Sequence, residues 1–409
     1  MNTEETIRIT IVGAGFAGIT AAQRLAELHP DVAIRIINPR PFFQYYPAMY
    51  RVVTGSSPLT ATIPLMEIFS RHPSVEIIND TITNIDPAQK SVTGSEGVTY
   101  TSDYLLLAVG SQNTYFNIEG VAELSFNFKS IHEAMRLRAR VKQMFAECSH
   151  MEHEEKLLAL HFVIVGGGPS GVELAGEMAT YTRRLARKYG VPGSYITIDL
   201  VEAAPRILPA LDPKVSEKAT HHLRSIGVNV YANRMVVKSE SWTVIMKDMK
   251  VGARTLIWTA GVKAHELYSS IEEFSYDGKG RVVVDEYMQA KDFNNIYIAG
   301  DNASTQYSGL AQTAIYDGEY IADTISDSIQ QKSAKQYKPK PVSFDIPVGP
   351  GWGILIHRGW HIYGWVAWIV RHVIDLKFFI SILPLGQALR YFFNKEEISD
   401  TGYGSRKEN

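Results

Sequence analysis

Ile7-Arg8-Ile9-Thr10-Ile11-Val12-Gly13-Ala14-Gly15-Phe16-Ala17-Gly18 is the stretch that decides the fold. Ile7 to Val12 is a β-branched run that reads as a buried strand, and a helical pattern follows through Leu28. Between them stands G-x-G-x-x-G: Gly13 turns the chain, Gly15 admits a pyrophosphate, and Gly18 lets the helix pack against the strand. Phe16 and Ala17 open that helix, whose first N–H groups face the phosphates. The strand before and the helix after make this more than an ordinary glycine-rich turn.

Working outward, the next strand, Ala33 to Ile37, ends at Asn38, where such a unit usually presents an acid to a ribose. Asn38 reads either as a ribose ligand through its amide oxygen or as a plain turn residue, and Arg40 is within reach of a phosphate. Pro39 to Gly55 carries Phe42, Phe43, Tyr45, Tyr46, Met49 and Tyr50. That density suits either a cover for a flat ring system or a core-packed loop. Val75 to Asp86 and Val98 to Tyr100 read as meander strands. Asp103 to Gly110 is a buried strand closing on Ala108 and Gly110, small residues of the kind needed beside a bound dinucleotide.

After a charged helical region from His132 to Glu155 the unit restarts. Phe162 to Val165 is a strand, Gly166-Gly167-Gly168-Pro169-Ser170-Gly171 is a second cradle with Gly166, Gly168 and Gly171 in the same three roles, and a helix is expected from Val172 onward. Thr197 to Val201 ends in Glu202, the acid expected on an unphosphorylated ribose, with Arg206 nearby to weaken that preference. Leu256 to Gly261 repeats the apolar strand with a small-residue end. Two cradles imply two dinucleotides and point toward electron transfer between cofactors. Glu173, near the start of the second helix, reads as a proton donor if its surroundings are dry, or as a carboxylate complementing the helix dipole.

Late in the chain, Asn295 to Ala299 reads as a further buried strand. Gly300 allows close backbone approach, and Asp301 offers a carboxylate to hydroxyls. A helix after Gly309 opens on Ala311 and Gln312, its N–H groups facing an electron-rich acceptor.

With 409 residues, 45% of them hydrophobic, the chain has material for two or three cores, and 41 basic against 43 acidic residues leave no electrostatic footprint for nucleic acid. Cys148 is the sole cysteine, which excludes an intramolecular disulfide, a four-cysteine cluster and a dithiol relay. Disulfide reductases and sulfide:quinone reductases of similar architecture are thereby excluded. Met1 to Thr6 has neither signal-peptide nor transit-peptide character. No stretch reaches spanning length, Ile362 to Val370 coming nearest before Arg371 and His372.

On these motifs, together with Gly171-Val172-Glu173-Leu174-Ala175-Gly176-Glu177, Trp258-Thr259-Ala260-Gly261, Ala299-Gly300-Asp301 and Ala311-Gln312-Thr313-Ala314, the chain resembles the type II NADH:quinone oxidoreductases from about Ile7 to Ser328. The resemblance implies an α/β fold with two Rossmann-like dinucleotide-binding domains of the pyridine nucleotide-disulfide reductase type. Noncovalent FAD would sit in the first (residues 1–130 and 275–335) and NADH in the second (131–274), with ubiquinone or menaquinone as acceptor and no metal. It places Asp301 on the ribityl and phosphate region, Ala311 and Gln312 by the flavin ring and the quinone head, Glu173 near the flavin, and Glu202 on the adenosine ribose. Tyr316 and Asp317 depart from glutamines usual in the family.

The remainder, 336–409, crowds Trp352, Trp360, Tyr363, Trp365, Trp368, Phe378, Phe379, Tyr391, Phe392 and Phe393 among Arg358, Arg371, Lys377, Arg390 and Lys395. Such a mix suits amphipathic helices lying in the headgroup layer with snorkelling cations, or a homodimer interface. The expected whole is a peripheral enzyme on the cytoplasmic face of the cell membrane that moves a hydride from NADH to FAD and two electrons on to quinone without pumping protons. A ferredoxin or rubredoxin reductase and a flavin-based redox sensor are the alternatives.

Overall fold

The computed structural model describes residues 7–269 and 271–393; Met1–Thr6 and Lys395 lie outside them. The chain forms two compact units. One comprises Met1–Gln44, Ile63–Asn113 and Val262–Val342, the other Tyr45–Thr62, Thr114–Gly261 and Ser343–Asn409.

The first unit is built on a parallel five-stranded sheet ordered Ile296–Ile298, Tyr104–Leu107, Arg8–Val12, Ala33–Ile37, Val75–Ile78. Ile9, Ile11, Ile34, Ile36, Leu105 and Leu107 are buried, as near-continuous apolar runs in a parallel sheet require. Val75–Ile78, expected in the meander, is instead the parallel edge strand beside Ala33–Ile37; the antiparallel meander comprises Ile82–Asp86, Ser91–Gly94 and Thr99–Thr101. The connections 87–90 and 95–98 are short enough for hairpins, whereas a parallel partner needs the longer crossover that precedes Val75. Helices Phe16–Leu28 and Ala311–Ile329 pack together so closely that a Cβ on Gly318 would collide with the Ala17 carbonyl oxygen.

The second unit repeats the plan. Its parallel sheet runs Ser125–Phe126, Thr255–Trp258, His161–Val165, Thr197–Val201, Asn229–Tyr231. Val163, Val165, Val201, Leu256 and Trp258 form its core together with Val236, Val244 and Met246 of a three-stranded antiparallel sheet. The helix after the glycines begins at Pro169 rather than Val172, because proline's fixed φ and missing N–H suit the first helical position. Two segments outside the sheet also belong to this unit. One is Tyr45–Thr62, and the other is the tail, an antiparallel sheet of Phe344–Pro347, Gly353–His357 and Trp360–Gly364 followed by helices Trp365–Ile382 and Leu385–Phe393.

The tail departs from the sequence reading in two ways. Trp360 and Tyr363 lie in a hairpin strand, so the aromatics do not all follow helical spacing. Helix Trp365–Ile382 buries Ala367, Arg371, Asp375, Phe378 and Ile382 along one stripe and exposes Trp365, Ile369, Val373 and Ile380 along the other. Arg371, expected to snorkel outward, points inward because Asp375 one turn along pairs with it at 3.2 Å. Lys377 and Arg390 remain exposed. No helix among the described residues is long and apolar enough to cross a membrane.

Candidate functional site

The two glycine turns have one construction. Gly13 and Gly166 adopt φ of 101° and 114°, a region L side chains rarely enter, and a Cβ on Gly18 or Gly171 would collide with the carbonyl oxygen of Gly13 or Gly166. Gly15 and Gly168 differ: nothing lies closer than 3.9 Å to a Cβ on the first, and nothing within 4 Å of one on the second. The outer glycines are therefore demanded by the protein's own packing, while the middle ones border open space.

Helices Phe16–Leu28, Pro169–Tyr189 and Ala311–Ile329 carry no capping side chain, whereas Ile131–Glu147, His153–Ala159 and Pro213–Ser225 are capped by Ser130, Glu152 and Asp212. Capping satisfies orphan N–H donors at a helix start, so its lack at all three motif helices leaves donors for an anion or electron-rich ring.

At the end of the second strand the units diverge. In the first, the Ala14 N–H donates to Asn38 Oδ1 at 3.0 Å, and Asn38 Nδ2 donates to the Arg40 carbonyl at 2.6 Å. Asn38 is buried and ties down the glycine turn, the role of a turn residue. Beside it, Arg40 Nε is buried without a hydrogen-bond partner among the described residues. In the second, the Gly167 N–H donates to Glu202 Oε2 at 2.6 Å and the Ala204 N–H to Oε1 at 2.7 Å. Two carboxylate oxygens offer about four lone-pair sites, so half remain for a diol. Arg206, by contrast, is held by the protein: its guanidinium donates to the Leu208 and Pro209 carbonyls and to Ser216 Oγ. It brings no free guanidinium to the ribose end of the cradle.

Strand Tyr104–Leu107 runs into half-buried Gly110, whose carbonyl accepts from Asn302 Nδ2 at 2.5 Å. Ala108 underlies the first turn, its carbonyl being the atom nearest both Gly13 and Gly15. Asp301 accepts from Ser111 Oγ, and fully buried Asn302 also accepts from the His265 N–H at 2.9 Å. Asn302 thus holds three loops at one point, which no local pattern announces. Asp317 is fully buried, accepting the Gly300 N–H at 3.0 Å and the Tyr337 hydroxyl at 2.7 Å. Burial raises its carboxyl to about 6, against the pull of those hydrogen bonds. It therefore fixes the Gly300 turn from beneath. Tyr316 is half-buried, with the Lys340 ammonium 3.7 Å from its ring centroid. Ala311 is half-buried and Gln312 exposed on the first turn of their helix, where Thr313 Oγ1 is buried without a partner among the described residues.

Of the aromatic loop, Phe43, Tyr45, Met49 and Tyr50 are buried in protein and only Tyr46 is well exposed, which favours a core-packed loop over a ring cover. Phe43 meets Phe16 edge-on at 5.2 Å, and Tyr45 stacks on Phe378 at 5.1 Å.

In the second unit, Gly261 closes its strand at φ 87° against Phe116 and Thr114, and the Trp258 indole donates to the Thr114 carbonyl at 2.8 Å. Glu173 stands in the second turn of its helix, since the helix starts at Pro169, and is too far along to complement the dipole. Its carboxyl makes no hydrogen bond among the described residues. Burial raises it to about 8, against Arg371 and Arg51 and reinforced by Asp345 and Asp375. Asp375 accepts from Tyr45 Oη at 2.6 Å and Arg51 Nη1 at 2.8 Å. Burial opposes its charge, but Arg51 and Arg371 outweigh that and hold it below the usual range. Asp345, with both oxygens buried and 3.8 Å from Arg371, is raised by burial to about 7. Glu173 thus faces a charged cluster that the sequence alone did not assemble. Among the described residues no group of acids, histidines and cysteine is arranged to hold a metal.

Residues 7–318 match the pyridine nucleotide-disulphide oxidoreductase family. Type II NADH:quinone oxidoreductase NdhA of Mycobacterium tuberculosis is 31% identical over 90% of this chain and 83% of its own. The type II NADH:quinone oxidoreductase of Staphylococcus haemolyticus is 27% identical over 94% and 98%. The structure of NDH2 from Plasmodium falciparum in complex with NADH superposes with a TM-score of 0.86 over 95% of this chain and 97% of that one, at 18% identity, a likeness of fold. Doubled cradles on two parallel sheets, joined to a relative of this identity over nearly the full length, establish that the chain belongs to the pyridine nucleotide-disulphide oxidoreductase family and, within it, to the type II NADH:quinone oxidoreductases.

Proposed function

We propose that this chain oxidises NADH and reduces a membrane quinone, with FAD held noncovalently by the first unit and NADH by the second. One observation carries the reading: the same cradle occurs twice, each with an uncapped helix and an open middle glycine, but with strand ends of opposite character. The residues fit both groups. Arg40 Nε and Thr313 Oγ1, buried and unpartnered among the described residues, suit the phosphates and ring system of FAD, with Asp301 toward its hydroxyls and Ala311 and Gln312 toward the ring. Glu202, an acid beside an Arg206 held by protein acceptors, favours a ribose diol over a 2′-phosphate. When bound, the flavin supplies two-electron chemistry between nicotinamide and quinone.

This chain's own residues orient, exclude water and hold a proton. Glu173 keeps its proton at neutral pH and is the proton donor for quinone reduction, with Arg51, Arg371 and Asp375 setting its field. With FAD bound, the helix N–H groups at Ala311 would offer positive potential toward its ring system. The tail helix, with paired charges inside and apolar side chains outside, supports peripheral membrane attachment, which we assign to the cytoplasmic face; a paired tail in a homodimer would widen that apolar face.

The test is spectroscopic. The purified protein should be yellow, bleach on anaerobic NADH and regain its colour with a short-chain quinone. A preparation that binds no flavin under any reconstitution, or that bleaches but is not reoxidised by quinone, overturns the reading.

A further inference from the structure

We propose that the face of helix Pro213–Ser225 next to the tail hairpin is a binding site for the phosphate headgroup of an anionic phospholipid, an inference resting on the membrane reading above. The site is a cavity of about 940 Å³ within the second unit. Lys214, Lys218 and His221 line it at i, i+4 and i+7, so they form one exposed stripe of the helix. Trp352 and Tyr363 from the tail hairpin make the opposing wall.

The aromatic wall is fixed in place. Trp352 stacks on the His222 imidazole with centroids 4.1 Å apart and planes 7° from parallel. His222 in turn sits 3.1 Å from the Val348 carbonyl. Lys218 Nζ lies 4.1 Å from the Tyr363 ring centroid, which orients the ammonium at the cavity wall. Among the described residues neither Lys214 nor Lys218 pairs with a carboxylate. Glu217 is the acid in the lining and Asp212, which accepts the Lys214 N–H at 2.8 Å, stands at the helix start, two acids against Lys214, Lys218, Arg206 and Arg224. Arg206 adds charge to the lining from behind its three protein acceptors, and Arg224 adds another. A wall with this surplus of cations calls for an anion.

What makes the anion a lipid is the strand that supplies Tyr363. Its side chains alternate, and Trp360 and Ile362, on the other face from Tyr363, are 76% and 38% exposed. Trp365, Ile369 and Val373 continue the exposed apolar surface along the following helix. One hairpin thus has cations and aromatic rings on one side and unsatisfied apolar area on the other, the arrangement of a protein edge at the boundary between headgroups and hydrocarbon. A free phosphate would use the lysines and leave the apolar side uncovered.

The experiment measures cosedimentation of the full-length, flavin-loaded protein with vesicles of phosphatidylcholine alone and of phosphatidylcholine mixed with phosphatidylglycerol, at constant ionic strength. Wild type should bind the mixed vesicles more tightly. Lys214→Gln/Lys218→Gln should lose roughly 10-fold of that affinity, keep its binding to phosphatidylcholine, and oxidise NADH with a water-soluble quinone as before. A matched variant, Lys279→Gln/Lys291→Gln, removes two exposed lysines of the first unit and should change nothing. Equal affinity for both vesicle types, or equal losses in the two lysine pairs, overturns the headgroup site while leaving membrane attachment intact. Displacement by inorganic phosphate at matched ionic strength marks a free-phosphate site and overturns the lipid assignment. Failure to bind either vesicle removes the membrane reading itself.

Discussion

The two cradles share a backbone and differ in what stands around it. Both pin the second residue of the glycine turn to the end of the second strand, but through neutral Asn38 in one and charged Glu202 in the other. Each has an arginine shortly after: among the described residues Arg40 Nε has no acceptor, whereas Arg206 is held by three protein acceptors. On the cradle helices the fifth position is Thr20 in the first and Glu173, its carboxyl raised by burial, in the second. On the proposed reading the scaffold sets where a dinucleotide lies, and these few side chains set which one, how tightly, and with what proton chemistry.

The comparison can be broken first at the glycines. Gly18→Val and Gly171→Val should each prevent folding of their unit, seen as loss of soluble protein, because the added carbons meet backbone. Gly15→Val and Gly168→Val should leave melting temperatures nearly unchanged and lower affinity by roughly 100-fold for one nucleotide only, by filling the pyrophosphate's space. The Gly15 variant should be colourless, the Gly168 variant yellow but unbleached by NADH. Identical losses in the two would end the assignment of different nucleotides to different cradles.

Glu173→Gln addresses the fifth position. The carboxyl is a donor only while protonated, so wild-type quinone reduction should fall as pH rises through about 8. The glutamine variant should lose about 100-fold in turnover and with it that alkaline limb. Since the folded state holds a proton that the unfolded chain releases near the ordinary value of 4.5, this residue's contribution to stability should also decline between 4.5 and 8 as pH rises. Melting curves of wild type and variant across that window check the sign independently of activity.

Smaller effects sharpen the contrast at the strand ends. Glu202→Ala removes two charge-assisted hydrogen bonds and should raise the KM for NADH by about 10- to 100-fold while narrowing the gap to NADPH, whereas Asn38→Ala should weaken flavin retention only about fivefold. Arg40→Gln should cost a few-fold in flavin affinity with unaltered NADH kinetics. Arg206→Gln should lower the melting temperature without changing the choice between NADH and NADPH. Least of all, Asp317→Asn keeps one acceptor oxygen under Gly300 and should weaken flavin binding by about twofold, measured by the rate of flavin loss in mild denaturant.

Residues consecutive in sequence made most of the fold legible. Ala33–Ile37 and Thr197–Val201 stand as read, the two cradle strands and all three motif helices fall within a few positions, and Val75–Ile78 was misplaced because a half-exposed edge strand alternates like a meander. The glycine turns and the strand-end residues Asn38 and Glu202 were legible as parts of one local unit, because a turn places neighbours by backbone geometry alone. Asn302 and Asp317 were not read for what they do, since each acts on atoms brought close by other loops.

By itself, the sequence determined that there are two nucleotide cradles on parallel sheets and no dithiol, because strand, turn and helix are local and cysteines can be counted. Tertiary structure alone decided that Arg371 turns inward, that Tyr45 reaches Asp375 across 330 positions of sequence, and that burial pushes the Glu173 carboxyl up to about 8. The physical reason is that protonation and pairing depend on how much water surrounds a group and which charges stand beside it. Both are set by chain segments remote in sequence, and periodicity along any one of them says nothing of the others.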